Sequence, residues 1–115
     1  MQTLLEAMAR MEGFYAEGTL PNRRNNPGDI EDGKFSQAHG ALPSDGHRFA
    51  AWATPEEGFA AMRALLIAHY SGLTLEKALN KWAPPVENNV NAYLKNVSAW
   101  TGMAADEVLT EKNIG

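Results

Sequence analysis

The chain lacks cysteine altogether, and it has no long apolar run and no excess of positive charge. Without cysteine it can form neither a disulfide framework nor a thiolate metal site, so packing must hold the fold. The longest apolar run, at 64–68, is far too short to cross a bilayer, so we expect no membrane insertion. No basic region followed by an apolar one stands near Met1, which predicts synthesis in the cytoplasm without a signal peptide.

The scarcity of basic residues bears on partners. Ten Lys and Arg against 14 Asp and Glu give a formal net charge of −4. Nucleic-acid binders use basic surface to displace counterions, so we expect no nucleic-acid partner. A neutral polymer such as a glycan is compatible with this charge, and we expect the chain to act as a monomer.

Several kinds of catalytic site are also missing. The three histidines, His39, His47 and His69, have no metal-like spacing. No glycine-rich phosphate loop is present, and no serine lies in a nucleophile elbow. We therefore expect no metal and no cofactor, and carboxylate chemistry is the enzymatic mechanism that retains support.

What is present predicts one domain, residues 1–115, of the α+β class and mainly helical. Apolar periodicity and capping signals predict helices at about 3–12, 55–70, 74–82 and 89–101. The Asp32-Gly33 pair, flanked by alternating residues, predicts a tight β-hairpin. A further short strand is expected at 47–52. The hairpin would flank an active-site cleft.

Glu12 is the leading candidate catalytic residue. At about 100° per residue it projects between Met8 and Leu5, inside the apolar stripe of the first helix. Gly13 is a natural C′ residue, so Glu12 would lie at the negative pole of the helix dipole. Burial and the dipole both favour a protonated carboxyl, which general acid catalysis requires. The alternative is a structural Glu that caps the helix or pairs with a neighbour.

Asp29 and Glu31 are the candidates for a second carboxylate. In a strand they would lie on the same face, with Ile30 opposite. An inverting glycosidase needs a base about 6.5–9.5 Å from its acid, and a retaining one a nucleophile at about 5–5.5 Å. A hairpin across a cleft favours the wide gap, and hence water attack with inversion. The alternative is ordinary surface charge, which applies to Asp32 as well.

Two segments offer groups that suit sugars. The amides of Asn25 and Asn26 can donate to and accept from hydroxyl and acetamido groups. Trp82, Asn88 and Tyr93 combine aromatic rings with an amide beside the Pro84-Pro85 pair, which would suit one wall of a groove. The alternatives are local turn hydrogen bonds for the asparagines and a core position for Trp82.

The order of these pieces is similar to a known pattern. It consists of Met-Glu-Gly-Phe-Tyr at 11–15, Arg-Asn-Asn-Pro-Gly-Asp-Ile at 24–30, Gly-His-Arg-Phe-Ala at 46–50, Glu-Gly-Phe at 57–59 and Trp-Ala-Pro-Pro at 82–85, followed by Glu87, Asn88 and Tyr93. The chain resembles, over nearly its whole length, a family of small lysozyme-like proteins of phages and bacteria that are related to soluble lytic transglycosylases.

The resemblance implies a lysozyme-like fold, peptidoglycan as the substrate and Glu12 as the catalytic acid. The expected activity is that of a muramidase on the β-1,4 bond between N-acetylmuramic acid and N-acetylglucosamine. The chain lacks the Glu-Ser and Gly-Leu-Met-Gln pieces of many lytic transglycosylases, so both hydrolysis and transglycosylation stay open. A glycan-binding or virion structural module without turnover is the remaining alternative. Such a protein would reach the cell wall after release or as part of a virion.

Overall fold

The computed structural model describes residues 1–84 and 89–115. About half of these residues are helical, and seven helices follow one another in the described ranges. They are α1 (Leu4–Met11), α2 (Leu20–Arg23), α3 (Lys34–Ala38), α4 (Pro55–Tyr70), α5 (Leu75–Trp82), α6 (Val90–Thr101) and α7 (Glu111–Ile114). The chain divides into two compact units. We call residues 8–64 the loop unit, and residues 1–7 with 65–115 the helical unit.

The four predicted helices are confirmed, and their ends follow the local signals in the sequence. The Thr3 hydroxyl accepts from the Glu6 amide at 3.1 Å, and the Glu6 carboxylate accepts from the Thr3 amide at 2.9 Å. This reciprocal capping box begins α1. The side chains of Thr74 and Asn89 cap α5 and α6, each by accepting from one backbone amide. Gly102, with a left-handed φ of 77°, ends α6.

The helical unit has an aliphatic core drawn from several helices and the final segment. Its most deeply buried side chains are those of Leu4, Leu66, Leu75, Leu79, Val97, Leu109 and Ile114. The chain at 105–109 runs beside 72–76, where the Leu109 amide donates to the Leu73 carbonyl at 2.8 Å. No helix in the described ranges is both long and apolar enough to cross a membrane.

The predicted tight β-hairpin at Asp32-Gly33 is wrong. Gly33 instead begins α3, because the Ser36 hydroxyl accepts from the Gly33 amide at 2.9 Å and donates to its carbonyl at 3.1 Å. Strand pairing in this part of the loop unit is one antiparallel bridge between Glu31 and Phe49. The chain between these residues forms α3 and a loop, so no two-residue turn connects them. The predicted strand at 47–52 is reduced to the same bridge.

Candidate active site

Glu12 is fixed at the carboxyl end of α1 by a Schellman motif. The Phe14 amide donates to the Ala9 carbonyl at 3.0 Å, and the Gly13 amide donates to the Arg10 carbonyl at 3.1 Å. Gly13 has the left-handed φ of 85° that this motif requires at C′. Glu12 is therefore the last residue before the chain turns, as the sequence predicted. Its side chain is only partly buried.

Asp29 lies in a short loop whose backbone is held by the Asn26 side chain. The amide nitrogen of Asn26 donates to the carbonyls of Ile30 at 2.9 Å and Ala50 at 3.0 Å. Its amide oxygen accepts from the Ile30 amide at 2.9 Å. Asp29 itself has a left-handed φ of 50°, a conformation that Asp and Asn tolerate better than most residues. The Asn26 clamp thus fixes the residues on both sides of Asp29.

The other side of this loop packs against the first turn of α4. A side chain at Gly58 would overlap the carbonyl oxygen of Asn25 and would approach Cδ of Pro27 to 2.9 Å. Asn25, whose φ is 51°, donates from its side chain to the Trp52 carbonyl at 3.0 Å. The absence of a Cβ at Gly58 is what permits this close approach. The loop is therefore held from two directions within one unit.

This arrangement brings the carboxyl groups of Glu12 and Asp29 into hydrogen-bond contact. The pKa of Asp29 rises from 3.8 to about 7, first because burial disfavours its ionised form. The hydrogen bond that protonated Asp29 donates to Glu12, and the negative charge of Glu12, raise the pKa of Asp29 further. Two adjacent carboxyls that cannot both ionise at low cost share one proton. The pair therefore holds a transferable proton close to neutral pH.

Glu31, the other candidate for the second carboxylate, does not join this pair. Its carboxylate accepts from the Arg48 guanidinium at 2.8 and 2.9 Å, and both side chains are mainly exposed. The expected strand alternation, with Asp29 and Glu31 on the same face, is wrong because Asp29 has a left-handed backbone conformation. Asp32 bonds to Ser44 and Gln37, and these hydrogen bonds lower the pKa of Asp32.

The two asparagines proposed as sugar ligands are engaged within the loop unit. Asn26 is 1% exposed, and both atoms of its amide bond to backbone groups, so it has a structural role in place of the expected substrate contact. Asn25 is partly exposed, and its side chain donates one hydrogen bond to the Trp52 carbonyl. Both residues therefore shape the loop that carries Asp29.

The remaining predicted sugar contacts belong to the helical unit. Trp82 is partly buried at the end of α5, and its ring meets that of Tyr70 edge to face, with centroids 5.7 Å apart. Tyr93 is 4% exposed. Asn88 lies outside the described residues. Trp82 thus contacts a buried neighbour, and Tyr93 presents little surface.

Arg24 is a site residue that the sequence reasoning missed. Its guanidinium makes two hydrogen bonds of 3.0 Å to the Asp45 carboxylate and donates from Nε to the Phe49 carbonyl at 3.1 Å. It thereby ties the start of the Asp29 loop to the segment at 45–50. A basic residue directly before two asparagines was the available signal, but its partners lie more than 20 residues away.

The described residues contain no group of three or more metal-ligating side chains that could hold a metal ion. Comparison with models of protein families found none that matches this chain, and comparison with curated proteins found no significant sequence similarity.

Proposed function

We propose that this protein cleaves the glycan strands of peptidoglycan at the β-1,4 bond between N-acetylmuramic acid and N-acetylglucosamine. The observation that carries the proposal is the contact between Glu12 and Asp29. A proton held between two carboxyls with a pKa near 7 is what protonation of a glycosidic oxygen requires at neutral pH. The sequence pattern at 11–15 and 24–30, which contains both residues, adds the substrate class.

In the proposed reaction the carboxyl pair protonates the leaving oxygen through Glu12, and the bond from that oxygen to C1 of the muramyl residue breaks. Once the proton has left, both carboxyls are negative. They lie beside a sugar ring that gains positive charge in the oxocarbenium-like transition state. Their mutual repulsion is then offset by attraction to that cation, so the pair stabilises the transition state more than the bound substrate.

The contact between Glu12 and Asp29 changes our expectation about which group attacks C1 after the glycosidic bond breaks. Carboxyls in hydrogen-bond contact have oxygens about 2.5–3.0 Å apart, which is closer than either the inverting or the retaining separation. The hairpin from which the wide gap was expected does not form, because Gly33 begins α3. Attack on C1 by the C6 hydroxyl of the same muramyl residue needs only one carboxyl group, which accepts the hydroxyl proton. The geometry therefore favours an anhydromuramyl product.

A lysozyme-like arrangement of the whole chain belongs to this proposal. It is supported by the mainly helical architecture and by the position of Glu12 at the end of α1. Access to the cell wall would follow release from the cell or incorporation into a virion.

The first experiment measures the loss of turbidity of purified cell walls. Glu12→Gln keeps the size of the side chain and removes the transferable proton, so lysis should fall by at least ~10²-fold. Glu17→Gln makes the same chemical change at an exposed position of the loop unit and serves as the matched control. Lysis by Glu12→Gln at the wild-type rate would contradict the catalytic role. A wild-type protein that binds walls without lysing them would be a binding or structural module.

The second experiment is mass spectrometry of the released fragments. Intramolecular attack gives anhydromuramyl ends, which are lighter by one water than the reducing ends produced by hydrolysis. Reducing muramyl ends would exclude the intramolecular reaction and would mean that Asp29 and Glu12 separate when substrate binds. The role of Glu12 as the acid stands in either case.

A further inference from the structure

Three aromatic rings of the loop unit contact one another in series. The rings of Phe59 and Phe14 meet edge to face with centroids 5.3 Å apart, and those of Phe14 and Tyr15 do so at 5.2 Å. Phe14 is 7% exposed, whereas Tyr15 is 51% exposed. Among the large hydrophobic residues that the described ranges leave exposed, Tyr15 is the only aromatic one.

The backbone that carries Tyr15 is held on both sides. The Thr19 hydroxyl donates to the Gly13 carbonyl at 2.8 Å, and the Asn22 side chain donates to the Phe14 carbonyl at 3.1 Å. The Schellman motif described above fixes the residues that precede it. An exposed ring on such a backbone loses little conformational entropy when a ligand covers it, and this favours binding.

We propose that Tyr15 is a stacking platform for a pyranose ring of the glycan, adjacent to the carboxyl pair. This inference rests on the proposed function. Only two residues separate Tyr15 from Glu12, so their Cα atoms are at most about 11 Å apart. A glycan strand that contacts Glu12 can therefore also reach Tyr15.

The chemistry of the Tyr15 side chain fits a neutral sugar. A flat ring covers the C–H groups on one face of a pyranose, and the phenol hydroxyl can exchange hydrogen bonds with hydroxyl or acetamido groups. The Phe14 ring packs against the Tyr15 ring at an interplanar angle of 78°. A restrained aromatic ring also loses less side-chain conformational entropy when a ligand binds than an exposed Leu or Met does.

The test measures binding of the β-1,4-linked N-acetylglucosamine tetramer by calorimetry, with every variant made in the Glu12→Gln background so that no turnover occurs. Tyr15→Ala should weaken binding by about tenfold, the effect of losing one aromatic stacking contact. Tyr15→Phe should stay within about threefold of the parent, because the ring is retained. Leu42→Ala, which removes another exposed apolar side chain of the same unit, is the matched control and should leave binding unchanged.

A kinetic measurement with the active enzyme supplies the second readout. Loss of a platform outside the reacting atoms should raise KM for cell walls in Tyr15→Ala and change kcat little. Unchanged tetramer binding by Tyr15→Ala would overturn the inference, while loss of lysis in Glu12→Gln would still support the proposed function. If the Glu12→Gln parent binds no tetramer and the wild-type protein lyses no walls, both proposals fail.

Discussion

The two compact units differ in how far along the chain their side-chain hydrogen bonds reach. In the helical unit, Thr74 and Asn89 each cap a helix by bonding an amide three residues away. In the loop unit, Asn26 bonds to Ala50 across 24 residues and Asn25 bonds to Trp52 across 27. A local cap secures one helix end. A long-range clamp secures two segments together, so its loss should disturb everything that those segments carry.

The carboxyl pair depends on contacts of the second kind. Glu12 lies at a helix end that its own neighbours define, whereas Asp29 lies in a loop that the Asn26 clamp and the contact at Gly58 hold in place. In this pair, the position of Glu12 is determined by its neighbours in the chain, and that of Asp29 by residues distant in the chain. Four sets of variants test whether local and long-range contacts differ in this way.

The largest expected effect is on activity. Asp29→Asn keeps the side-chain size and suits the left-handed backbone, but it removes the second carboxyl from the pair. Lysis of cell walls at neutral pH should fall by about 10²-fold, since the shared proton is lost. Glu31→Gln, which breaks only an exposed ion pair with Arg48, should lyse walls at nearly the wild-type rate. Equal activity of both variants would show that Asp29 has no part in the reaction.

The second prediction compares a clamp with a cap. Asn26→Ala removes three buried hydrogen bonds and leaves the carbonyl of Ala50 without that donor. The free energy of unfolding should fall by about 2–3 kcal/mol. Thr74→Ala removes one helix cap and should cost about 1 kcal/mol. Urea denaturation of the two variants measures the difference, and equal losses would mean that the clamp acts as an ordinary local contact.

The sequence predicts those parts of the fold and the site that local contacts determine. Helices α4, α5 and α6 were predicted closely, because the periodicity of apolar residues and the caps at Thr54, Thr74 and Asn89 are local signals. Glu12 was placed at its helix end for the same reason. Each of these features is determined within a few residues of the chain.

The loop region was predicted less well because its determinants are distant in sequence. Asp32-Gly33 is a common hairpin signal, yet the nearby Ser36 gives Gly33 a role as a helix cap. The left-handed conformation of Asp29, which invalidates the expected strand alternation, accompanies the Asn26 clamp to Ala50. Periodicity carries no information about either contact. The choice of Asp29 over Glu31 as the partner of Glu12 therefore required the structure.

The third prediction uses two glycines with opposite requirements. Gly58→Ala puts a methyl group into the carbonyl of Asn25 and should cost about 2 kcal/mol while displacing the Asp29 loop. Gly72→Ala meets no atom within 4 Å, but its φ of 88° is unfavourable for alanine, so it should cost about 1 kcal/mol. Cell-wall lysis separates the two effects, because only Gly58→Ala should lower the activity of the folded protein.

The smallest expected effect concerns stability and pH. The pKa of Asp29 is about 7 in the folded chain and 3.8 without the fold, so the folded state binds more protons between these values. The stabilisation associated with this proton is complete below pH ~4 and is lost as the pH rises through about 7. Other carboxyls act in the opposite direction. The pKa of Asp45 is lowered by the His47 amide and by Arg24, so its contribution is lost as the pH falls.

The difference in stability between Asp29→Asn and wild type isolates the contribution of Asp29. Asp29→Asn cannot ionise, so relative to wild type it should gain stability as the pH rises from ~4 to ~8. We expect a gain of about 1 kcal/mol, because solvent screening at a partly exposed group reduces the effect of the pKa shift. Urea denaturation at several pH values measures this difference. Asp45→Asn is the control and should show no such gain between pH ~4 and ~8, because the lowered pKa of Asp45 affects stability only below pH ~4. A stability difference for Asp29→Asn that stays constant with pH would mean that Glu12 and Asp29 share no proton.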